Sequence, residues 1–235
     1  MTQRRLMSVI VPVFRNETTL AELHRRIAQA LESAAVAHEI IFVDDASDDR
    51  SLDEIRALMN RDSDVRLLEL GTNGGQQQAV LAGMRVAQGD LIATMDADLQ
   101  DPPEALGMLV SRMDDHSVDA VFATRRGAYE SAGRLRTSRA FKRVVRTLTG
   151  LPPSSGMYLV MKRETMQAVF DAPPRLFYLP TALMRVTRRV AGVPVERASR
   201  AGGVSQYTFL GRTRLALTAL AGALWWRFRR RRRAR

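Results

Sequence analysis

Twice in this chain an apolar run short enough to be one buried strand ends abruptly in carboxylates. Leu91-Ile92-Ala93-Thr94-Met95 leads into Asp96-Ala97-Asp98-Leu99-Gln100-Asp101, and Ile40-Ile41-Phe42-Val43 leads into Asp44-Asp45-Ala46-Ser47-Asp48-Asp49. An ionised side chain is too costly to bury inside such a run. Both acid groups therefore belong at strand tips, on the edge where open α/β sheets bind ligands. Asp96 and Asp98, one residue apart at a strand exit, can offer oxygens to one hard divalent cation, which keeps part of its shell for substrate phosphates. Like charges gathered at one edge need such a cation, or hydrogen-bond donors, to offset their repulsion. Spacing alone is not the signal: Asp62-Ser63-Asp64 has it too, but in a polar stretch that reads as a solvated loop.

Strand-like runs recur at Ser8–Phe14, Glu39–Val43, Val65–Leu70, Leu91–Met95 and Ala120–Ala123, with helical patterns between them. The first helix starts near Thr19 and places Leu20, Leu23, Ile27 and Leu31 on one face; Thr19 with Glu22, and later Ser51 with Glu54, have the spacing of capping boxes. A third helix runs from about Gln76 to Ala87, with Gly89 suited to its C′ position. Asp101, Pro102 and Glu104 read as the N-cap and first turn of a fourth. Strand and helix alternating at this spacing imply βαβ units and a mostly parallel sheet flanked by helices, of the nucleotide-binding type, over the first 125 residues. The exit of the first strand, Pro12-Val13-Phe14-Arg15-Asn16-Glu17, adds an aromatic ring, an amide and an acid to the acidic edge.

Composition narrows the chemistry. The 235 residues suit one α/β domain with a C-terminal extension. There is no Cys, which removes thiolate metal sites and disulfides, and His24, His38 and His116 are scattered singly. Of the formal net charge of +11, seven belong to Arg227, Arg229, Arg230, Arg231, Arg232, Arg233 and Arg235, leaving a body at only +4. Arg4 and Arg5 before the run from Leu6 to Phe14 imitate a signal peptide, but Pro12 and the helix signal that follows favour a first strand. No apolar run reaches 18 residues, so no ordinary membrane span is expected.

Between Arg125 and Gly150 the chain turns basic, with Arg125, Arg126, Arg134, Arg136, Arg139, Lys142, Arg143 and Arg146 against Glu130. Guanidinium groups suit bidentate phosphate contacts, although part of this set reads as a solvated helix face. At the C-terminus, Leu215 to Trp226 is apolar but too short to cross a bilayer as a helix. Trp225 and Trp226 followed by seven Arg are what a membrane-interface anchor uses; a terminal helix packed on its own domain is the alternative. The domain reading is thus one α/β unit over 1–210 and an amphipathic helix with a basic tail over 211–235. Nucleic-acid binding by the tail is not expected, since it lacks interleaved aromatics beyond Phe228 and the body carries no recognised nucleic-acid motif.

Four segments together resemble the family 2 glycosyltransferases of GT-A (Rossmann-like) fold, nearest to the polyprenyl- and dolichyl-phosphate sugar synthases. They are Val9 to Glu17; Ile41 to Asp48; Asn73-Gly74-Gly75-Gln76 through Gln88-Gly89-Asp90 to Glu104; and the shorter Gly202-Gly203-Val204-Ser205-Gln206-Tyr207. The resemblance implies that Pro12, Phe14, Glu17 and Asp45, with Asp44 beside them, line the base and ribose pocket of a nucleotide-sugar donor. It implies that Asp96, Asp98 and Gln100 hold Mg²⁺ or Mn²⁺ against the diphosphate. Arg125, Arg134 and Ser138 match positions that contact donor or acceptor phosphates and, with Asp98, form the implied catalytic set. Arg139, Arg200, Ser205 and Tyr207 fall to the acceptor. The implied reaction is metal-dependent, inverting sugar transfer to polyprenyl phosphate at the cytoplasmic membrane face; the tail's own residues, not the resemblance, add the expectation of peripheral attachment to anionic lipid.

Two departures from the family pattern carry information. Leu151 to Arg163 contains no Asp where relatives often place one near the acceptor. A hydroxyl acceptor wants such a base; a phosphomonoester, with a second pKa of about 6, does not, so the gap favours a phosphate acceptor. Gln206 stands where relatives often carry Lys, a phosphate contact that Arg197 or Arg200 is placed to replace. A hydroxyl acceptor on a glycan or other molecule, and a catalytically silent nucleotide-sugar-binding homologue, remain the alternatives.

Overall fold

The computed structural model describes residues 5–126, 147, 150–153, 155–171 and 177–197. The elements in chain order are β1 (Leu6–Val13), α1 (Leu20–Ser33), β2 (Ala37–Asp44), α2 (Ser51–Met59), β3 (Val65–Glu69), α3 (Gln76–Val86), β4 (Leu91–Thr94), α4 (Ala105–Met113), β5 (Ala120–Arg126), β6 (Ser155–Lys162), α5 (Arg163–Asp171), α6 (Leu179–Val186) and β7 (Val190–Glu196). Seven strands form one sheet in the order β3-β2-β1-β4-β6-β5-β7. All neighbours pair in parallel except β6, which runs against both β4 and β5.

Helices cover both faces, and the strands are accordingly apolar on both sides. Met7, Val9, Val11 and Val13 of β1 face a core shared with Leu20, Leu23 and Ile27 of α1, Ile55 of α2 and Leu106 and Leu109 of α4. Ile10, Ile41 and Val43 face the other core, built with Val80 and Met84 of α3 and Leu179 and Leu183 of α6. The period-2 alternation of β1 thus meets the 3.6-residue stripe of a helix on each face. Gly83 lets α3 lie close to the sheet: a Cβ there would stand 2.5 Å from the Ile10 Cγ2 and 3.0 Å from the Val43 Cγ2.

The five expected strands are present, with no end shifted by more than three residues. The sheet is not complete at residue 125, however. The apolar run of β6 inserts between β4 and β5, and β7 extends the far edge beside β5. These two strands, with α5 and α6, were not expected from the local pattern.

The capping expectations fail, and each failure has a tertiary cause. Thr19 stands at the N-cap of α1, but its hydroxyl donates to the carbonyls of Asn16 at 3.1 Å and Ala97 at 2.7 Å. Glu22 pairs with Arg25 instead of closing a box. Ser51 is the first residue of α2, and its Oγ accepts the Asn16 N–H at 2.8 Å. Helix α4 begins at Ala105, so Asp101 is no cap, and Glu104 makes an ion pair with Arg26 at 2.6 Å. Gly89 is not a left-handed helix terminator either: α3 ends at Val86 with Ala87 already extended. A Cβ on Gly89 would stand 2.5 Å from the Ser8 N, so glycine is needed for close approach to β1.

Candidate active site

Strand order reverses between β1, which leads outward through β2 to β3, and β4, which leads the other way. That crevice, at the carboxyl ends of the strands, is where doubly wound sheets hold ligands. Register places the acids around it. Val13 at the end of β1 pairs with Asp44 at the end of β2, and the Met95 N–H donates to the Ile10 carbonyl, bringing the Asp96 loop beside the exit of β1. Three loops at this edge hold a non-glycine residue at positive φ: Arg15 at 56°, Ala46 at 57° and Leu99 at 57°. Such left-handed residues are uncommon and concentrate at functional sites.

The loops after β1 and β2 are interlocked. The Arg15 N–H donates to the Ser47 Oγ at 3.2 Å, the Glu17 N–H to Asp49 at 3.3 Å and the Arg50 N–H to Glu17 at 2.9 Å. The Arg15 guanidinium forms a bidentate pair with Asp48 and lies 5.1 Å from the centre of the Phe14 ring. That guanidinium holds the exposed Asp48 carboxyl below the usual carboxylate range.

Asp44 and Asp45 differ sharply although they are adjacent. Both are 3% exposed. Asp45 accepts the Gly74 and Gly75 N–H groups, each at 2.8 Å, one on each oxygen, and its carbonyl accepts from the Asn73 amide. Gly75, at φ 83°, is the residue before α3, so Asp45 neutralises the positive end of that helix. Asp44 Oδ2 accepts the Ser47 N–H at 3.1 Å, while its Oδ1 is buried without a hydrogen-bond partner among the described residues. A buried carboxylate oxygen left so is an acceptor waiting for a donor.

The start of α3 also joins the two acid groups, because the Gln76 side-chain amide donates to Asp96 Oδ1. Gln76 lies in a segment that the sequence singled out, but nothing local in it pointed to Asp96. Asp98 Oδ1 accepts the Gln100 N–H at 3.1 Å, and Leu99 between them anchors the turn against the core. Asp96, Asp98 and Gln100 supply hard oxygens, the donor type a small divalent cation takes. Among the described residues no group of three or more His, Cys, Asp or Glu converges as a metal cage. Two carboxylates and an amide would make only a partial ligand set, of the kind an ion takes when substrate phosphates complete its shell.

Pro12, Phe14, Glu17, Asp44, Asp45, Asp96, Asp98 and Gln100 therefore all fall on one sheet edge. Arg125 lies near the end of β5, in register with Val195 of β7. Arg134, Ser138, Arg139, Arg200, Ser205, Tyr207 and the segment 211–235 lie outside the described residues. Arg197 is described, and its Nε lies 3.5 Å from Asp101.

A mostly parallel sheet with acid-tipped strands at its switch point is the architecture of the GT-A glycosyltransferases. Solved structures agree in fold: a glucosyl-3-phosphoglycerate synthase from Mycobacterium tuberculosis, in complex with Mn²⁺, UDP-glucose and phosphoglyceric acid, superposes with a TM-score of 0.70 at 20% identity, over 93% of this chain and 80% of that one. A mannosyltransferase from Pyrobaculum calidifontis, in complex with GDP-mannose and Mn²⁺, superposes with a TM-score of 0.67 at 20% identity, over 95% and 65%. The chain belongs to glycosyl transferase family 2, whose family model matches residues 8–184. A curated relative, the undecaprenyl-phosphate 4-deoxy-4-formamido-L-arabinose transferase of Salmonella choleraesuis, is 34% identical over 209 residues, which is 87% of this chain and 63% of that protein. The chain thus spans less than two thirds of the length of that relative.

Proposed function

We propose that this protein is a metal-dependent, inverting glycosyltransferase that moves a sugar from a nucleotide-sugar to a polyprenyl phosphate. The observation that carries the reading is the placement of Asp44, Asp45, Asp96 and Asp98 on one sheet edge at the switch point, with Asp45 and Asp96 joined through the start of α3. The relatives' names support the acceptor: they transfer a sugar to undecaprenyl phosphate.

In this reading Asp44 Oδ1 accepts from the nucleobase, with Pro12, Phe14 and Glu17 around the base and ribose. Asp45 serves the same pocket by holding the start of α3. Asp96, Asp98 and Gln100 would hold Mg²⁺ or Mn²⁺, whose positive charge would offset that of the departing nucleoside diphosphate. Arg125, Arg134 and Ser138 add electrostatic stabilisation to the same phosphates. Arg139, Arg200, Ser205 and Tyr207 orient the acceptor phosphate. One of its oxygens attacks the anomeric carbon from the face opposite the leaving group. The new C–O bond forms as the bond to the nucleoside diphosphate breaks, inverting the centre. An ionised phosphate needs no proton removed, which agrees with Leu151 to Arg163 having no Asp. The protein works peripherally on the cytoplasmic membrane face, its arginine tail on anionic lipid. Among the described residues no helix is long and apolar enough to cross a membrane.

The test is a thermal-shift screen of UDP-, GDP- and dTDP-sugars with and without Mn²⁺, followed by transfer to undecaprenyl phosphate. A stabilisation that needs both metal and one nucleotide is expected, since a ligand of the folded state raises apparent stability by mass action. Asp98→Ala should abolish transfer while leaving the melting temperature of the free protein within a few degrees. Wild-type turnover by that variant would sink the assignment. Transfer to a hydroxyl acceptor alone would reassign the acceptor, and ligand binding without any transfer would mark a silent homologue.

A further inference from the structure

Asp101 is only 1% exposed, and it lies one residue past Gln100 and three past Asp98. Facing it is Arg197, the first residue beyond β7, with Nε 3.5 Å from Oδ1 and a side chain 25% exposed. Removing one partner of a buried ion pair strips compensation from the charge that remains, which is more disruptive than losing both partners. The loop is also held by neutral contacts. Thr19 Oγ1 donates to the Ala97 carbonyl at 2.7 Å, and the Tyr158 hydroxyl donates to the Pro102 carbonyl at 2.9 Å. Burial, reinforced by the Asp101 charge, pushes the Tyr158 phenol far up, so it stays a donor. The strands behind these contacts sit in different parts of the sheet: Tyr158 on β6, next to β4, and Arg197 at the end of β7, the edge strand. The ion pair therefore ties the far edge of the sheet to the loop that carries Asp98 and Gln100.

We propose that Arg197 is a positioning residue for the metal-binding loop: it neutralises Asp101 and so fixes Asp98 and Gln100, rather than contacting a substrate phosphate itself. The proposal rests on the metal-dependent donor site argued above. The two possible roles of Arg197 make opposite predictions for a double substitution. If Arg197 acts through Asp101, neutralising Asp101 removes the need for it. If Arg197 touches a phosphate, Asp101 is irrelevant.

Calorimetric titration of the 235-residue chain with UDP, GDP and dTDP, each with and without Mn²⁺, separates them. Arg197→Ala should weaken Mn²⁺-dependent nucleotide binding by about 10- to 100-fold, the usual effect of losing a group that orients metal ligands, with metal-free binding little changed. Asp101→Asn added to Arg197→Ala should recover most of that loss. A double variant as weak as Arg197→Ala, or an Arg197→Ala protein that binds like wild type, overturns the proposal. If Arg197→Ala alone fails to fold, comparison of the double variant with wild type still decides: near-wild-type Mn²⁺-dependent binding supports the proposal and its loss overturns it. A wild-type chain that binds none of the three nucleotides with Mn²⁺ overturns the donor-site reading and this inference together, a result visible before any variant is made.

Discussion

Asp44 and Asp45 show how two identical side chains, adjacent in sequence, acquire different work. A one-residue step at the end of β2 turns Asp45 toward the start of α3, where two N–H groups occupy its two oxygens. Asp44 keeps one buried oxygen without a partner. The expected consequences of substitution split accordingly. Asp44→Ala should cost less stability than Asp45→Ala, because it loses the single bond to the Ser47 N–H, and should weaken nucleotide binding by about 10- to 100-fold, the equivalent of one hydrogen bond to a charged group. Asp45→Ala should lower folding stability by about 1.5–3 kcal/mol, because it removes charged hydrogen bonds that hold a helix start. Urea denaturation and nucleotide titration of the two variants check both. Equal effects of the two variants on binding and stability would show that the carboxylates share one role.

At the scale of elements, the edge of the sheet opposite the site has its own polar lock. Ser8 of β1 and Glu39 of β2 are both buried. The Glu39 carboxylate accepts from the Ser8 Oγ at 2.6 Å, the Gln88 N–H at 2.6 Å and the Arg66 guanidinium at 2.5 Å. Burial is the largest single influence on this acid and pushes its pKa up. The hydrogen bonds from Ser8, Arg66 and Gln88 together outweigh it and hold the acid below the ordinary glutamate value. A carboxylate whose folded pKa is depressed adds stability that is fully present above its unfolded value, about 4.3 for Glu. That stability is lost as pH falls through the lower folded value. Denaturation curves should therefore show stability declining below about pH 4.3, and Glu39→Gln should flatten part of that decline. The lock joins β1, β2, β3 and the segment before β4 at their N-terminal ends, which leaves the opposite ends free to carry the loops of the site.

For the whole molecule, charge is divided between a mildly basic body and a tail carrying seven of the net positive charges. Arginines near an anionic surface each contribute about 1 kcal/mol of attraction, screened by salt. The 235-residue chain is expected to sediment with vesicles containing anionic phospholipid at low salt and to release as salt rises. A chain ending at residue 210 should bind nucleotide but not vesicles; if it unfolds instead, the terminal segment packs on the domain. The sequence by itself determined the alternation of five strands with four helices and the acids at the tips of β2 and β4. Those follow from periods of 2 and 3.6 residues and from the cost of burying a charge, both properties of neighbours along the chain. It did not reveal β6, an apolar run whose antiparallel insertion between β4 and β5 depends on strands laid down earlier. Nor did it reveal the partners of Thr19, Ser51, Gln76 and Asp101, each of which looked like a local cap or an unremarkable polar residue. Their partners are Ala97, Asn16, Asp96 and Arg197, between 20 and 96 positions away. A polar side chain takes a distant partner, by hydrogen bond or ion pair, when folding buries both groups together, because the distant group would otherwise be left uncompensated out of water. Only the tertiary structure decides which distant group that is.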